Sequence, residues 1–325
     1  MSSTLYSRPI DPIEDVTIKI RWEISHYCDK NHSYCYITDK STPFAPAIAD
    51  LKLIVDKLAL VQHPMQIFIL GGEPTLYPDL SDFLVYVLTT LSTAKVVLVT
   101  NGMQEVLYYQ GLFTTLADFT DRFSIKISKH ADTLITQVMD IVAEAEATGF
   151  TSYCDVMLTP SNFDAELLFY NQLKDAGFSN FSCVPCLLFS NSPDTPFEYT
   201  IEQNDQLTQI YQSFVPDIHY ADDQVEGDFN RYYLIHTKMA QFRGMWCISN
   251  RLNYTISPNG ILRMPNAFFV LGDVFTEDIS AIINTRYTAR PLVCNMNYCT
   301  SAYSVMCSKE ATGEGTGIPY DVPQS

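Results

Sequence analysis

Short apolar runs alternate along the chain with longer segments in which apolar residues recur every three or four positions. The first pattern is typical of buried strands and the second of helices that pack one face on a sheet. The predicted strands are 17–25, 66–70, 95–100, 123–128, 152–158 and 181–188. The predicted helices are 47–61, 80–91, 104–116, 134–148, 164–176 and 201–214. Strands joined by crossover helices predict an α/β fold, a partial (β/α)6 TIM-like barrel of parallel strands.

The regular alternation stops near residue 215. Four of the nine cysteines lie in the last 80 residues, which predicts a small C-terminal unit of the metal-binding type. We therefore expect an N-terminal arm at 1–15, the barrel at 16–215 and the C-terminal unit at 216–307. Residues 308–325 are rich in Gly, Pro, Ser and acidic residues, so we expect a mobile tail there.

Composition narrows the function classes. Hydrophobic residues make up 47% of the chain and charged residues 18%, as in an ordinary globular protein. A net charge of -17 with only 20 Lys and Arg weighs against direct binding to duplex nucleic acid or to an anionic membrane surface. No apolar window is long enough to span a membrane, and residues 1–16 lack the apolar core of a secretory signal. The closely spaced cysteines then favour metal ligands in a reducing cytoplasm over disulfides.

Cys28, His32 and Cys35 follow the first predicted strand, where barrels of this type place their chemistry. Their spacing is typical of an iron-sulfur ligand loop, except that a histidine stands in the middle. Three ligands can hold three irons of a cubane cluster and leave the fourth iron open to a small molecule. The loop predicts a [4Fe-4S] site, either with His32 as the third ligand or with an incomplete ligand set.

A second motif ends the next strand. Gly71 and Gly72 permit close approach of backbone to a ligand, and the carboxylate of Glu73 suits an ammonium group. The string Gly-Gly-Glu-Pro is also typical of a tight turn between a strand and a loop. Asn101 follows the third strand and Ser128 ends the fourth, so we expect these side chains at the same rim.

In this order the two motifs resemble those of the radical S-adenosylmethionine (radical SAM) enzymes. That family carries a Cys-x3-Cys-x2-Cys loop with an aromatic residue before the last cysteine, and here Tyr34 precedes Cys35. The resemblance implies that the loop holds a [4Fe-4S] cluster whose open iron binds the amino and carboxylate groups of S-adenosyl-L-methionine. It also implies a cofactor site made of the following residues: Tyr34 near the adenine, Gly71, Gly72, Glu73 and Pro74 at the methionine amino group, and Asn101 and Ser128 nearby.

His32 stands where the family has its central cysteine. Imidazole can ligate iron, and in Rieske centres histidine ligands raise the reduction potential. Reductive cleavage of S-adenosylmethionine would then be harder. The other interpretation is a chain that keeps the fold and has lost the cluster.

The C-terminal unit resembles the SPASM and twitch domains that follow many radical SAM barrels. Cys247 precedes Gly260 by thirteen residues, and Cys294, Cys299 and Cys307 complete a four-cysteine set. Pro265 stands where that pattern has another cysteine, so at most one auxiliary iron-sulfur cluster is implied. A zinc site of four thiolates and buried structural cysteines are the alternatives.

The resemblance implies an enzyme that cleaves S-adenosylmethionine reductively to a 5′-deoxyadenosyl radical, which abstracts hydrogen from a substrate. The appended unit favours a peptide or protein as substrate, with a small molecule as a further possibility and a reducing protein such as flavodoxin or ferredoxin as partner. Two alternatives stay open: an enzyme that modifies a nucleobase or sugar, and a catalytically silent binding protein.

Several other residues have simpler explanations. Cys154, Cys183 and Cys186 lie in predicted strands, and we expect them to pack in the core. Lys126 and Lys129, near the end of the fourth strand, are expected at a solvated rim rather than at a substrate carboxylate.

Overall fold

The computed structural model describes residues 6–9, 17–32, 34–35, 45–187, 198–221, 225–239, 241, 246–264, 270–287, 292–293 and 309–310. The strands are β1 (Tyr6–Pro9), β2 (Ile18–Glu23), β3 (Met65–Leu70), β4 (Lys95–Thr100), β5 (Phe123–Lys129), β6 (Thr151–Leu158), β7 (Phe181–Leu187), β8 (Ile218–Ala221), β9 (Glu226–Phe229), β10 (Trp246–Cys247), β11 (Asn253–Ile256), β12 (Ile261–Arg263), β13 (Val270–Asp273), β14 (Leu292–Val293) and β15 (Lys309–Glu310). The helices are α1 (Ile48–Leu58), α2 (Leu80–Thr90), α3 (Val106–Thr115), α4 (Ile135–Ala147), α5 (Phe163–Asp175), α6 (Ile201–Gln212), α7 (Arg231–His236), α8 (Ser249–Leu252) and α9 (Ile279–Tyr287).

Strands β2 to β7 pair in parallel and in sequence order. A helix follows each of the first five of these strands, and α6 follows β7. The predicted α/β partial barrel is therefore confirmed, and each of its predicted elements is present with ends shifted by a few residues. Among the described residues no helix has the length and apolar character needed to cross a membrane.

The main core lies between the parallel strands and their helices. Along β5, Ile125 and Ile127 are fully buried while Lys126 and Ser128 are partly exposed. Successive side chains of a strand point to opposite faces, so the buried face packs on the helices and the other face lines the inside of the curved sheet. Trp22 of β2 meets Phe83 of α2 edge to face, with ring centroids 5.3 Å apart.

Three antiparallel strands extend this sheet beyond β2, in the order β13-β12-β11-β2. The compact unit that contains the barrel comprises residues 18–205 and 254–284. Residues 254–284 fall within the predicted C-terminal unit, so the compact unit crosses that predicted boundary.

The second compact unit comprises residues 1–17, 206–253 and 285–325. Its sheet has the strand order β14-β10-β15-β1-β8-β9. Strand β1, from the predicted N-terminal arm, pairs antiparallel with β8 and with β15. Apart from residues 309–310, the predicted tail at 308–325 lies outside the described residues. The predicted domain limits stay predictions.

Candidate functional site

The loops after β2 and β3 are joined by backbone hydrogen bonds at the carboxyl ends of the strands. The Gly72 N–H donates to the Ser25 carbonyl at 2.7 Å, and the Glu73 N–H donates to the Tyr27 carbonyl at 2.8 Å. The segment that leads into Cys28 is thereby held directly on the glycine turn. The two motifs that the sequence placed on separate loops are therefore in contact.

This contact explains why glycines follow β3. A Cβ atom at Gly72 would lie 2.0 Å from the Tyr27 carbonyl oxygen, and one at Gly71 would lie 2.3 Å from the Ser25 carbonyl oxygen. Both distances are far below van der Waals contact, and the opposing atoms belong to the backbone. The glycines thus permit close docking of the loop after β2. Their predicted contact with a cofactor stays a prediction.

Glu73 is buried between the ends of β3 and β4, with 2% of its surface exposed. Its Oε1 accepts from the Thr75 N–H at 3.0 Å and from the hydroxyls of Thr75 and Thr100, both at 2.7 Å. Its Oε2 accepts from the Asn101 N–H at 2.7 Å. Burial raises the pKa of the Glu73 carboxyl above its ordinary value, and these hydrogen bonds oppose the shift. The sequence suggested an open carboxylate for an ammonium group. The structure shows instead that its oxygens join the loops, and the predicted cofactor contact stays untested.

Pro74 begins a short 3-10 helix, Pro74–Leu76, directly after Glu73. Proline suits the first position of such a turn because its backbone has no N–H to be satisfied. Glu73 caps the same turn by accepting from the Thr75 N–H. The Gly-Gly-Glu-Pro string therefore does act as a tight strand-to-loop turn.

Asn101 connects the third loop to the loop that carries Cys28. Its Nδ2 donates to Asp29 Oδ1 at 2.9 Å, and its Oδ1 accepts from the Met103 N–H at 2.9 Å. The side chain is almost fully buried. The residue after Cys28 is thus fixed from the end of β4, so the cysteine loop is held on both sides of Cys28.

Replacing Asn101 by alanine should lower the free energy of unfolding by about 1–2 kcal/mol, because Asp29 and Met103 lose their partners. Hydrogen exchange at residues 28–31 should also accelerate. The matched control is Asn284→Ala. The Asn284 side chain, in α9, bonds the Gln62 N–H and the Leu60 carbonyl of an exposed loop away from these motifs. Exchange at 28–31 that rises equally in both variants would contradict the role given to Asn101.

Cys28 and Cys35 are free thiols that are partly exposed. The Lys30 N–H lies 3.4 Å from Cys28 Sγ and donates to it, which favours the thiolate that an iron ligand must be. Within the described residues, no three His, Cys, Asp or Glu side chains surround one point as the ligands of a single metal ion do. In a cubane cluster each ligand binds a different iron, so the donor set of two thiols and an imidazole still fits it.

His32 packs on a pair of hydrogen-bonded rings. Tyr34 Oη and His130 Nδ1 are 2.8 Å apart. The His32 ring is stacked on both, with centroid distances of 5.1 Å to Tyr34 and 4.0 Å to His130. Burial raises the pKa of Tyr34 well above its ordinary value, so the phenol stays protonated. His32 Nε2 is buried and lies 3.5 Å from Asp132 Oδ1.

Ser128 lies on the inner face of the barrel, opposite Asp155 of β6. On the same face, Lys126 Nζ and Asp155 Oδ2 form an ion pair at 2.5 Å. Lys129 faces the other way, is 4% exposed and pairs with the buried Glu166. The predicted solvated rim was wrong for Lys129, because the alternation of β5 places position 129 on the face that packs on helices.

The remaining cysteines divide between the two units. Cys154 is buried as predicted, while Cys183 and Cys186 in β7 are partly exposed. Burial raises the pKa of Cys183 to about 11, so this thiol stays protonated at neutral pH. Cys247 is partly exposed in β10. The predicted ligands Cys294, Cys299 and Cys307 lie outside the described residues.

Sequence reasoning missed two acidic residues that border the loop. Asp29 is adjacent to Cys28, and Asp132 lies in the loop after β5. Asp29 could have been found from its place between Cys28, the first predicted ligand, and Lys30. For Asp132 the available signal was its position just past the fourth barrel strand, where site residues concentrate.

No protein-family model matches the sequence, and no curated protein matches it either. The structure is similar to that of anSMEcpe with bound AdoMet, with a TM-score of 0.57, 12% identity and coverage of 83% of this chain and 82% of that one. Streptococcus suis SuiB bound to S-adenosylmethionine gives a TM-score of 0.57 and 13% identity over 84% of this chain and 68% of SuiB. A structure of anSMEcpe with bound AdoMet and a Kp18Cys peptide gives 0.54 and 13% over 83% and 82%. At these identities the likeness shows a shared fold.

Proposed function

We propose that this chain is a radical SAM enzyme that holds a [4Fe-4S] cluster through Cys28, His32 and Cys35. One observation carries the proposal: the glycine turn after β3 is docked on the backbone that enters Cys28, with the Gly72 and Glu73 N–H groups as donors. This arrangement lies at the carboxyl ends of barrel strands, where such folds bind ligands. The fold is shared with chains solved with bound AdoMet.

When bound, the cluster supplies the electron that cleaves S-adenosylmethionine to methionine and the 5′-deoxyadenosyl radical that abstracts hydrogen from a substrate. The chain itself has to bind, orient and enclose these groups. The Lys30 N–H stabilises the Cys28 thiolate. Glu73 and Asn101 hold the loops after β2, β3 and β4 together. Ser128 presents its hydroxyl on the inner face of the barrel, toward which the cofactor would extend.

We propose a peptide or protein as the substrate. The support is that anSMEcpe, which shares this fold, has been solved with a bound peptide as well as AdoMet. A reducing protein such as flavodoxin or ferredoxin, and a cytoplasmic location, belong to the same proposal because the chemistry needs a supply of low-potential electrons.

An auxiliary iron-sulfur cluster in the second unit is also part of the proposal. Strand β10, which carries Cys247, pairs with β14 on one side and with β15 on the other. In sequence, Cys294 directly follows β14 and Cys307 lies two residues before β15. The strands paired with β10 are thus close in sequence to Cys294 and Cys307. This supports a metal site that they share with Cys247.

A catalytically silent binding protein is the second candidate. It is supported by His32, whose ring already stacks on Tyr34 and His130 and faces Asp132. If those contacts persist in the presence of iron, the loop offers two thiolates only.

The test is iron and sulfide content, with electron paramagnetic resonance, on anaerobically reconstituted full-length chain with and without S-adenosylmethionine. We expect a reduced [4Fe-4S] signal that changes when S-adenosylmethionine is added, and formation of 5′-deoxyadenosine. A chain without iron, or a signal that ignores S-adenosylmethionine, would favour the silent protein.

Cysteine variants show which cysteines hold the cluster that gives the paramagnetic signal. Cys28→Ala should abolish the response to S-adenosylmethionine. Cys154→Ala is its matched control, because Cys154 is buried in β6 and should leave iron content unchanged. Cys247→Ala should lower iron content while the response to S-adenosylmethionine remains. Equal iron in Cys247→Ala and the unmodified chain would contradict the auxiliary cluster.

A further inference from the structure

We propose that the Lys126–Asp155 ion pair, on the inner face of the barrel, binds an uncharged amide group of the substrate. The inference deepens the proposed function, because it rests on a peptide or protein as substrate and names the chemical group that the barrel recognises. Both side chains become specificity-determining residues.

The pair lies beside Ser128 on the inner face. Lys126 Nζ is 2.5 Å from Asp155 Oδ2. Lys126 precedes Ser128 by two residues on β5, and Asp155 is the register partner of Ser128 on β6. Residues two apart on a strand share a face, as do register partners on neighbouring strands. A substrate group held by the pair would therefore lie next to Ser128, which the proposed function assigns to the cofactor side of the barrel.

The pair is accessible to solvent, unlike the second lysine pair of the same strand. The side chains of Lys126 and Asp155 are 20% and 17% exposed. Lys129 and Glu166, on the face that packs on helices, are buried. An ammonium has three donors and a carboxylate has about four acceptor positions, so a ligand can bind both while the ion pair stays intact. Because solvent reaches Lys126 and Asp155, ligand atoms can reach them too.

The wall around the pair carries no further charge on the adjacent strands. The register neighbours are Val99 and Tyr153 for Lys126, and Ser128 and Val184 for Asp155. Tyr153 is 38% exposed and offers an aromatic surface next to the ammonium. The pair thus lies among apolar, aromatic and hydroxyl side chains.

Cys186 of β7 extends the same surface. It follows Val184 by two residues, and Val184 is the register partner of Asp155, so its thiol lies on the inner face. Burial raises the pKa of this thiol well above its ordinary value, Asp155 raises it further and Lys126 lowers it. The thiol therefore stays protonated at neutral pH, and the surface around the ion pair has no net charge.

This charge balance selects the ligand. An amide carbonyl can accept from the Lys126 ammonium while its N–H donates to the Asp155 carboxylate. A carboxylate ligand would meet attraction from Lys126 and repulsion from Asp155, and an ammonium ligand would meet the reverse. An uncharged group that is both donor and acceptor matches both members of the pair. A peptide carries such groups in its backbone and in the side chains of Asn and Gln.

The test uses a pool of pentapeptides, acetyl-Ala-Ala-X-Ala-Ala-amide, in which X is each residue except cysteine. Their retention by the reconstituted full-length chain is measured by ultrafiltration and mass spectrometry, without S-adenosylmethionine and at about 0.15 M salt to screen surface charge. The result is the ratio of retention by a variant to retention by the unmodified chain, so that attraction of cationic peptides to the net charge of -17 cancels.

Lys126→Met and Asp155→Asn should change this ratio in two ways. Both should retain the uncharged peptides at least about fivefold less, because the amide loses one of its two partners. Lys126→Met should also retain the X = Lys and X = Arg peptides at least about fivefold more, and Asp155→Asn the X = Asp and X = Glu peptides, since each leaves one charge without its counter-charge.

Lys174→Met is the matched control. Lys174 is an exposed lysine of α5, so the variant loses the same charge on the outside of the barrel and should retain every peptide as the unmodified chain does. Unchanged retention of the uncharged peptides in Lys126→Met and Asp155→Asn would overturn the inference. So would a gain of charged peptides that is the same in both variants or that also occurs in Lys174→Met.

The unmodified chain distinguishes the two sources of the amide. Retention of the X = Asn and X = Gln peptides above the X = Ala and X = Leu peptides supports a side-chain amide. Equal retention of these four supports a backbone amide, provided that the two variants lose all four.

The outcomes also separate this inference from the function on which it rests. The expected peptide pattern in a chain that binds no iron refutes the enzyme and keeps the amide site. A cluster that responds to S-adenosylmethionine in a chain without the peptide pattern keeps the enzyme and overturns the role of Lys126 and Asp155.

Discussion

Replacing Gly72 by alanine should lower the free energy of unfolding by about 3 kcal/mol and abolish the cluster signal that responds to S-adenosylmethionine. The new Cβ would lie 2.0 Å from the Tyr27 carbonyl oxygen and 2.6 Å from that of His26. Backbone atoms cannot rotate out of the way as a side chain can, so the segment entering Cys28 would have to move. Denaturant unfolding of the iron-free chain measures the first effect, and iron content after reconstitution measures the second.

Gly111→Ala is the matched control for this substitution. Gly111 lies in α3, and a Cβ there would meet no atom within 4 Å. Because glycine is unfavourable inside a helix, this alanine should raise the free energy of unfolding by about 0.5–1 kcal/mol. Wild-type stability and iron content in Gly72→Ala would refute the close docking of the two loops.

Lys129→Met should lower the free energy of unfolding by about 3–5 kcal/mol, the usual cost of removing one partner from a buried ion pair. Lys129 and Glu166 are 4% and 3% exposed, and the ammonium also lies 4.3 Å from the centre of the Phe169 ring. Methionine would fill much of the volume of the lysine side chain, yet Glu166 would stay buried without a counter-charge. Denaturant unfolding at neutral pH measures the loss.

Two further variants isolate the charge effect. Lys126→Met removes an ion pair from the other face of the same strand, where the two side chains are 20% and 17% exposed, and should cost about 1 kcal/mol. Adding Glu166→Leu to Lys129→Met should recover most of the lost stability, since the unpaired carboxylate is then gone. A loss in Lys129→Met no larger than that in Lys126→Met would refute the account of a buried pair.

The barrel could be predicted because its strands carry local signals. Residues 67–70 and 96–100 are runs of β-branched, aromatic and other apolar residues, each preceded by a polar residue. Strands buried on both faces require such runs. The candidate cysteine loop could likewise be found, because ligand spacing is a short-range property of the sequence.

Partners that come from distant loops could not be predicted in the same way. Lys129 looks like a surface residue until α5 supplies Glu166, and Glu73 looks like an open carboxylate until the ends of β3 and β4 surround it. Asp132 approaches His32 only because the loops after β2 and β5 meet. Each of these contacts depends on how the strands, helices and loops pack together, which the local sequence does not contain.

Short strands gave no recognisable signal. Strand β1 has four residues and pairs with β8, which lies more than two hundred residues further along the chain. Strands β11 to β13 have four, three and four residues, too few to show a clear period. Their place in the large sheet is set by hydrogen bonding to strands already present.

The position of β11 beside β2 has a consequence for folding during synthesis. β2 carries the segment that enters the cysteine loop, and its outer edge is paired by a strand that begins at residue 253. Until that strand leaves the ribosome, the backbone groups along this edge have no neighbouring strand. Open strand edges promote aggregation in partly folded chains. For the nascent chain, the interval of aggregation risk therefore begins with the first barrel strand and lasts until residues 253–256 have emerged.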